Sequence, residues 1–336
     1  MNNLIKHFPL IEHSTYLNTA ATGLVSREVF DYQQDKNIDL LTQGSLNRDK
    51  EAKTLAETRE KLAQFFTAEA FRIALVPNFS FGFNTILESF PQSTSFLLLE
   101  SDYPSVNLAV EARNFKIHYA KINEHLEQNI LQKIEAENPQ VLVLSLVQYL
   151  NGIKIDLSFL QELKKKFPQL LIIADGTQYL GTEDFNFSTS GIDVLGASAY
   201  KWLNAGFGNG FFMFSKEAEH KISPKTEGFG SYVGKYKEEG NTLIGKLEPG
   251  HLNYTNIGSI KVALELQEKI GIQAIEKQLQ TLFAEAKKQF TQLGLLEDFV
   301  VKRNEHSTIF NLKGDEKLFH RLTQNGIICS QRGDGV

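Results

Sequence analysis

Two residues in this chain have the type and setting to do carbonyl chemistry, Asp175 and Lys201. Asp175 closes an apolar run, Leu-Leu-Ile-Ile-Ala-Asp, over residues 170–175. In open α/β sheets, ligands gather beyond the carboxyl ends of the strands. Lys201 follows 26 residues later, after a second apolar run, with Tyr200, Trp202 and Leu203 as neighbours. Apolar company lowers the pKa of a lysine and makes its amine a usable nucleophile. A lysine that forms a Schiff base, and a carboxylate that holds a proton on a pyridine nitrogen, are what pyridoxal phosphate requires. On spacing alone, a solvated lysine and a capping aspartate remain open as the alternative.

Other motifs fail on context. Gly206-Phe-Gly-Asn-Gly210 has the glycines of a dinucleotide fingerprint, but it precedes a strand instead of linking a strand to a helix. Ser198 in Gly196-Ala-Ser-Ala-Tyr200 lacks the second glycine of a nucleophile elbow. There is no Walker-type phosphate loop and no His-Glu-x-x-His. The lone cysteine, Cys329, lies in Gly326-Ile-Ile-Cys-Ser330, which reads as a strand; a small buried thiol is the ordinary reading, since reactivity needs exposure and a lowered pKa.

The elements that must position Asp175 and Lys201 are legible as alternating strands and helices. Continuous apolar runs at 72–76, 96–100, 141–146, 170–174, 192–197 and 210–214 suit strands buried on both faces. Helical patterns fall between them at 81–90, 105–114, 124–137 and 157–167, with Pro104 before the second and Asp156 a candidate N-cap for the last. This alternation argues a mostly parallel sheet with helices on both faces. Residues 222–250 read as a long glycine-rich loop. Helices at 259–270 and 272–293 meeting at Gly271, a strand pair at 300–311, a helix at 315–325 and a strand at 327–330 make a second, α+β unit. The expected division is a large domain, 16–250, and a small one, 251–336 with 1–15. The final Gly-Asp-Gly-Val reads as a hairpin turn followed by a single strand residue, so the natural chain is expected to continue.

Composition sets bounds on function. The 336 residues are 42% hydrophobic and 22% charged, within the globular range. Net charge is −5 with no basic block, which argues against nucleic acid. No apolar run approaches a membrane span, and residues 1–13 lack a signal pattern, so a cytoplasmic protein is expected. One cysteine and eight scattered histidines leave no support for a disulfide or a metal site.

Four ordered segments resemble the class V, fold-type I pyridoxal-phosphate enzymes, a group that includes cysteine desulfurases and isopenicillin-N-epimerase-like proteins. Tyr16-Leu-Asn-Thr-Ala-Ala-Thr-Gly23 resembles the opening segment. Ala174-Asp-Gly-Thr-Gln178 resembles Asp-x-x-Gln, and Ser198-Ala-Tyr-Lys201 resembles Ser-x-His-Lys. Leu247-Glu-Pro-Gly-His-Leu-Asn-Tyr254 resembles the segment that reaches the partner subunit's site. The resemblance implies an α/β fold-type I transferase, a mostly parallel sheet sandwiched by helices plus a smaller α+β domain, working as a homodimer with shared sites.

By the same resemblance, Lys201 carries the cofactor and shuttles a proton, and Asp175 pairs with the pyridine nitrogen. Gln178 bonds the phenolic oxygen and Ser198 the phosphate. The backbone N–H groups of Phe79 and Ser80, at a helix start, face that phosphate too, as helix N-termini favour anions. Tyr103 covers the ring. Tyr200 stands where the family has histidine, and His251 where a threonine often reaches across the dimer. Gln148, Tyr149 and Asn151 are all candidates for a further ring contact. Arg332, the last arginine, is the candidate clamp for the substrate carboxylate, against a solvated hairpin arginine.

The implied activity is that of an aminotransferase acting on amino acids and keto acids. The same early steps serve a cysteine-desulfurase or selenocysteine-lyase-like reaction, or epimerisation. A protein that binds the cofactor or a metabolite without turnover is the non-enzyme alternative.

Overall fold

Uninterrupted runs of Val, Ile, Leu and Phe leave a strand no polar face, so each of its sides must be covered. The protein, described here from a computed structural model over residues 4–231 and 242–336, does this with one seven-stranded sheet. Its strands are β2 (Ile73–Val76), β3 (Ser95–Leu99), β4 (Lys116–Ala120), β5 (Val141–Ser145), β6 (Leu171–Asp175), β7 (Val194–Ser198) and β8 (Gly210–Phe214); β1 (Thr15–Tyr16) lies outside it. The order is β2-β8-β7-β6-β5-β3-β4, parallel except for β8, which runs against both neighbours.

Alternate residues along the strands fill two separate cores. Leu97, Leu142, Leu144, Ile172, Leu195 and Phe211 join a core with helices Arg48–Phe66, Leu126–Glu137, Leu157–Lys166 and Tyr254–Ile270. Phe96, Val141, Val143, Ile173, Val194 and Phe212 point the other way, onto helices Phe79–Leu87 and Pro104–Glu111. Burying a side chain of this size contributes about 1.5–3 kcal/mol, so a polar substitution on either face is costly.

The chain reverses direction across the sheet between β3 and β5. From β3 it moves outward to β4; from β5 it moves the other way, through β6 and β7. Pairing between β3 and β5 includes only Phe96↔Val141 and Leu97↔Leu142. It continues to Leu99↔Ala120 on one side and to Ser145↔Asp175 on the other. The carboxyl ends of β3 and β5 therefore splay apart, and a crevice opens at the switch point.

Strand boundaries follow the sequence reading within two residues, and Asp156 caps its helix by accepting from Ser158 N. Gly271, at φ +93°, ends one helix and starts the next. The strand pair expected at 300–311 is absent from the described residues. Helix Asp298–Lys302 occupies its start, because Phe299 and Val300 turn inward together and Arg303 N closes on Phe299 O. The rest is irregular, joined to the loop after β5 by a bridge between Ile153 and His306. The last strand, β9 (Ile327–Ile328), pairs in parallel with β1. Helix Thr242–Leu247 interrupts the loop expected at 222–250, of which residues 232–241 lie outside the described part. The helices Arg27–Gln43 and Arg48–Phe66 and strand β4 were not anticipated. Among the described residues no helix is long and apolar enough to cross a membrane.

Candidate active site

Strands β5, β6 and β7 end on Ser145, Asp175 and Ser198, and these three line a 430 Å³ cavity at the switch point with Tyr103, Tyr200 and Lys201. The residues come from four separate strand ends, which only the sheet brings together.

Asp175 and Lys201 are 5% and 6% exposed. Burial pushes the Asp175 carboxyl up to about 6, against bonds from Thr177 and the charge of Lys201, while the like charge of Asp102 adds to the rise. Burial brings Lys201 down to about 8, opposed by Asp175 and assisted by Arg332. The two feel each other's charge without closing an ion pair. Lys201 Nζ has no hydrogen-bond partner among the described residues; it stands 5.4 Å from the centre of the Tyr103 ring and 5.8 Å from that of Tyr200. An amine near pKa 8 is about one-tenth uncharged at pH 7, against well under one-thousandth for an ordinary lysine, and the uncharged form is the one that attacks an aldehyde.

One end of the cavity is an anion cradle. Asn78 caps helix Phe79–Leu87 by accepting from Phe81 N, which leaves the helix N-terminus facing the cavity wall formed by Phe79 and Ser80. Phe79 N–H donates to Ser198 Oγ at 2.9 Å, so this amide reaches an anion through the serine, whose own hydroxyl proton remains free to donate. Ser80 Oγ donates to Ser105 Oγ at 2.7 Å. The helix dipole adds positive potential at this end.

Gln178 is locked in place. Its Nε2 donates to Ala20 O and its Oε1 accepts from Trp202 Nε1, both at 2.8 Å. The opening segment thus holds the site from beneath: Gly23 N–H donates to Tyr200 O, and a Cβ at Gly23 would come within 1.8 Å of Lys201 O. Tyr200 stacks on Phe207 at 4.8 Å, and burial pushes its phenol up to about 12. Of the three candidates after β5, Tyr149 lines the cavity, edge-on to Tyr103 at 5.2 Å. Gln148 turns away to Asp102, and Asn151 serves its own turn by accepting from Ile153 N.

Two expected contributors lie outside the cavity wall. His251 is exposed and stacked on Phe229. Arg332 is exposed in a turn closed by bonds to Gly335, near enough for its charge to be felt at Lys201 and Tyr103. Cys329 does not line the cavity either, and burial raises its thiol pKa.

Sequence reasoning missed Thr177, Ser145 and Asp102. Thr177 Oγ1 accepts from Ser198 N at 3.0 Å and ties β6 to β7 beside Asp175. Ser145 Oγ is buried on the cavity wall, within reach of Asp102 but in no well-formed hydrogen bond. Asp102 carries no local signal, since its partners Ser145 and Gln148 lie 43 and 46 residues further along the chain. The donor set fits pyridoxal phosphate: a cradle for its phosphate, a carboxyl for its ring nitrogen, an amine for its aldehyde, aromatic cover, and a buried hydroxyl in the wall.

The class-V aminotransferase family model matches residues 15–335. The "Uncharacterized aminotransferase YcbU" of Bacillus subtilis (strain 168) is 22% identical over 297 residues, 86% of this chain and 78% of that protein. Among solved structures, a C-DES mutant with glycine covalently linked to the PLP cofactor superposes with TM-score 0.83 at 17% identity, over 96% of this chain and 90% of that one. The apo cysteine desulfurase of Thermococcus onnurineus NA1 gives TM-score 0.81 at 17% identity, over 97% and 86%. The fold is that of fold-type I pyridoxal-phosphate enzymes.

Proposed function

This chain belongs to the class V aminotransferase family, and from that premise we propose that it is a pyridoxal-phosphate-dependent aminotransferase acting on an amino acid. Membership makes it an enzyme of a cofactor-dependent family. The finer reading, with Lys201 as the cofactor-bearing residue, rests on one observation: a buried amine without a hydrogen-bond partner, near Asp175, in the wall of the switch-point cavity.

Pyridoxal phosphate, when bound, supplies an electron sink for the α-carbon of an amino acid. Everything else falls to this chain's own residues. Ser198, Ser80 N–H and the dipole of helix Phe79–Leu87 hold the phosphate. Asp175 would pair with the ring nitrogen, whose positive charge would keep the carboxyl ionised. Gln178, fixed by Trp202 and Ala20, has a second Nε2 proton for the phenolic oxygen. Tyr103, in the cavity wall, would cover one ring face and keep water away. Lys201 Nζ would hold the aldehyde, and its pKa near 8 would suit it to take a substrate's α-proton and return it as a general base and acid. Arg332 stands near the cavity to attract the substrate carboxylate. His251 and its exposed segment are assigned to the partner subunit's site in a homodimer. Cys329, outside the cavity and with a raised pKa, weighs against sulfur transfer through a cysteine of this chain.

The test is a panel of amino acids added to the cofactor-loaded protein. Loss of the yellow absorbance with release of the matching keto acid is expected, and borohydride followed by peptide mapping should mark Lys201. Sulfide or alanine released from cysteine instead would replace transamination with desulfuration. A mark on another lysine would overturn the assignment of Lys201.

A further inference from the structure

Asp102 is a carboxyl at the switch point that the reading above does not use. It is 3% exposed and makes no ion pair among the described residues. Three donors converge on it: Tyr103 N at 2.6 Å, Ser145 N at 2.8 Å and Gln148 Nε2 at 3.1 Å. All three are N–H groups with no acceptor among them, so the contacts favour the ionised carboxylate even though burial pushes the pKa up.

The three donors share a topological cause. Beyond Leu97↔Leu142 no pairing joins β3 to β5, and the strand ends must find other partners. Leu99 O accepts from Asn107 Nδ2 at 2.9 Å, and Ser145 N donates to Asp102. Each of the three donors also leads to the cavity. Tyr103 places its ring there, Ser145 brings its buried hydroxyl, and Gln148 precedes Tyr149.

We propose that Asp102 is a positioning residue, a carboxylate clamp across the splayed ends of β3 and β5 that sets Tyr103 and Tyr149 against the cavity and holds a fixed negative charge behind Asp175. The assignment of Tyr103 as ring cover rests on the cofactor reading; the clamp itself does not. The charged and titratable groups that act on Asp175 are Lys201, from the turn after β7, and Asp102, from the loop after β3; Asp175 in turn acts on the phenols of Tyr103 and Tyr200.

Three variants test the clamp: Asp102→Asn, Asp102→Glu and Gln148→Ala. Amide exchange is read by mass spectrometry on the cofactor-free proteins, and pyridoxal phosphate affinity by calorimetry. Asp102→Asn is expected to speed exchange in peptides holding residues 102–106 and 145–149, with peptides of β6 and β8 unchanged, and to weaken the cofactor by about tenfold or more. Its visible band should titrate at lower pH, because a negative charge near Asp175 is gone, and Asp102→Glu, which keeps that charge, should restore the midpoint. Should Asp102→Asn fail to fold, Gln148→Ala decides, with faster exchange at 145–149 and a several-fold affinity loss expected. Exchange that is unchanged, or raised uniformly across the sheet, overturns the clamp. If the wild-type protein binds no pyridoxal phosphate, the cofactor reading falls while the exchange arm still decides the clamp.

Discussion

At the junction between the segment after helix Asp298–Lys302 and the start of helix Leu126–Glu137, a guanidinium is buried with every need met. Arg303 is 6% exposed and grips both oxygens of Glu127, one of them at 2.6 Å, and it also donates to Lys154 O at 2.7 Å and Glu305 O at 3.1 Å. At the cavity, equally buried charges are left short. Lys201 has no hydrogen-bond partner, Asp175 accepts from Thr177 N, and the two never close on each other. Burial acts to raise both carboxyls, but at Glu127 the bonds from Arg303 and Asp156 N outweigh it and lower the pKa, while at Asp175 burial prevails and raises it. The first pattern is what a joint needs. The second leaves valence for a ligand and lowers the stability of the empty protein.

The sharpest break in that contrast is Lys201→Ala. It should abolish borohydride-fixed cofactor and cut kcat by about a thousandfold or more, while far-UV circular dichroism stays unchanged. At the joint the reverse is expected: Glu127→Ala strands the arginine and should cost about 3–5 kcal/mol in urea unfolding, with cofactor affinity of the folded fraction little altered.

Lys201→Met, made in the cofactor-free protein, should raise stability by about 2 kcal/mol at pH 7, read by urea unfolding. The sign follows from the folded pKa, about 8 against 10.5. Below pH 8 the charged lysine must be held in the fold at full cost. As pH rises through the window from 8 to 10.5 the unfolded chain holds the extra proton, the cost fades, and the gain over wild type should shrink. A gain independent of pH would mean that the valence argument is wrong. The smallest expected effect is Trp202→Phe. It removes one donor from Gln178 and should weaken the cofactor about threefold to tenfold by calorimetry.

Much of the frame was readable because buried parallel strands write themselves as unbroken apolar runs; β8 was placed to the residue at Gly210–Phe214. Asp175 and Lys201 were readable because strand ends fix where chemistry sits. Helix Arg27–Gln43 was not, since Phe30, Ile38 and Leu41 are exposed on it and the apolar residues mark no single buried face. Strand β4 escaped as a half-exposed edge with Lys, His and Tyr among its five residues. The pair expected at 300–311 failed because the apolar run Phe299-Val300-Val301 fits one helical turn as well as a strand. Asp102 was missed because its partners come from β5, and no local pattern announces a contact 43 residues away.

The chain contains one tryptophan, and it is Trp202. Its indole N–H is held by Gln178, and its backbone adjoins Lys201. An emitter bonded to Gln178, which lines the cavity, sits one side chain away from the space where a chromophore on the lysine would lie. Excitation energy should pass from the indole to a bound pyridoxal group, so the protein's own ultraviolet emission is a gauge of occupancy. Loading, release and turnover can then be followed in real time on the unlabelled enzyme, with no second tryptophan to dilute the signal.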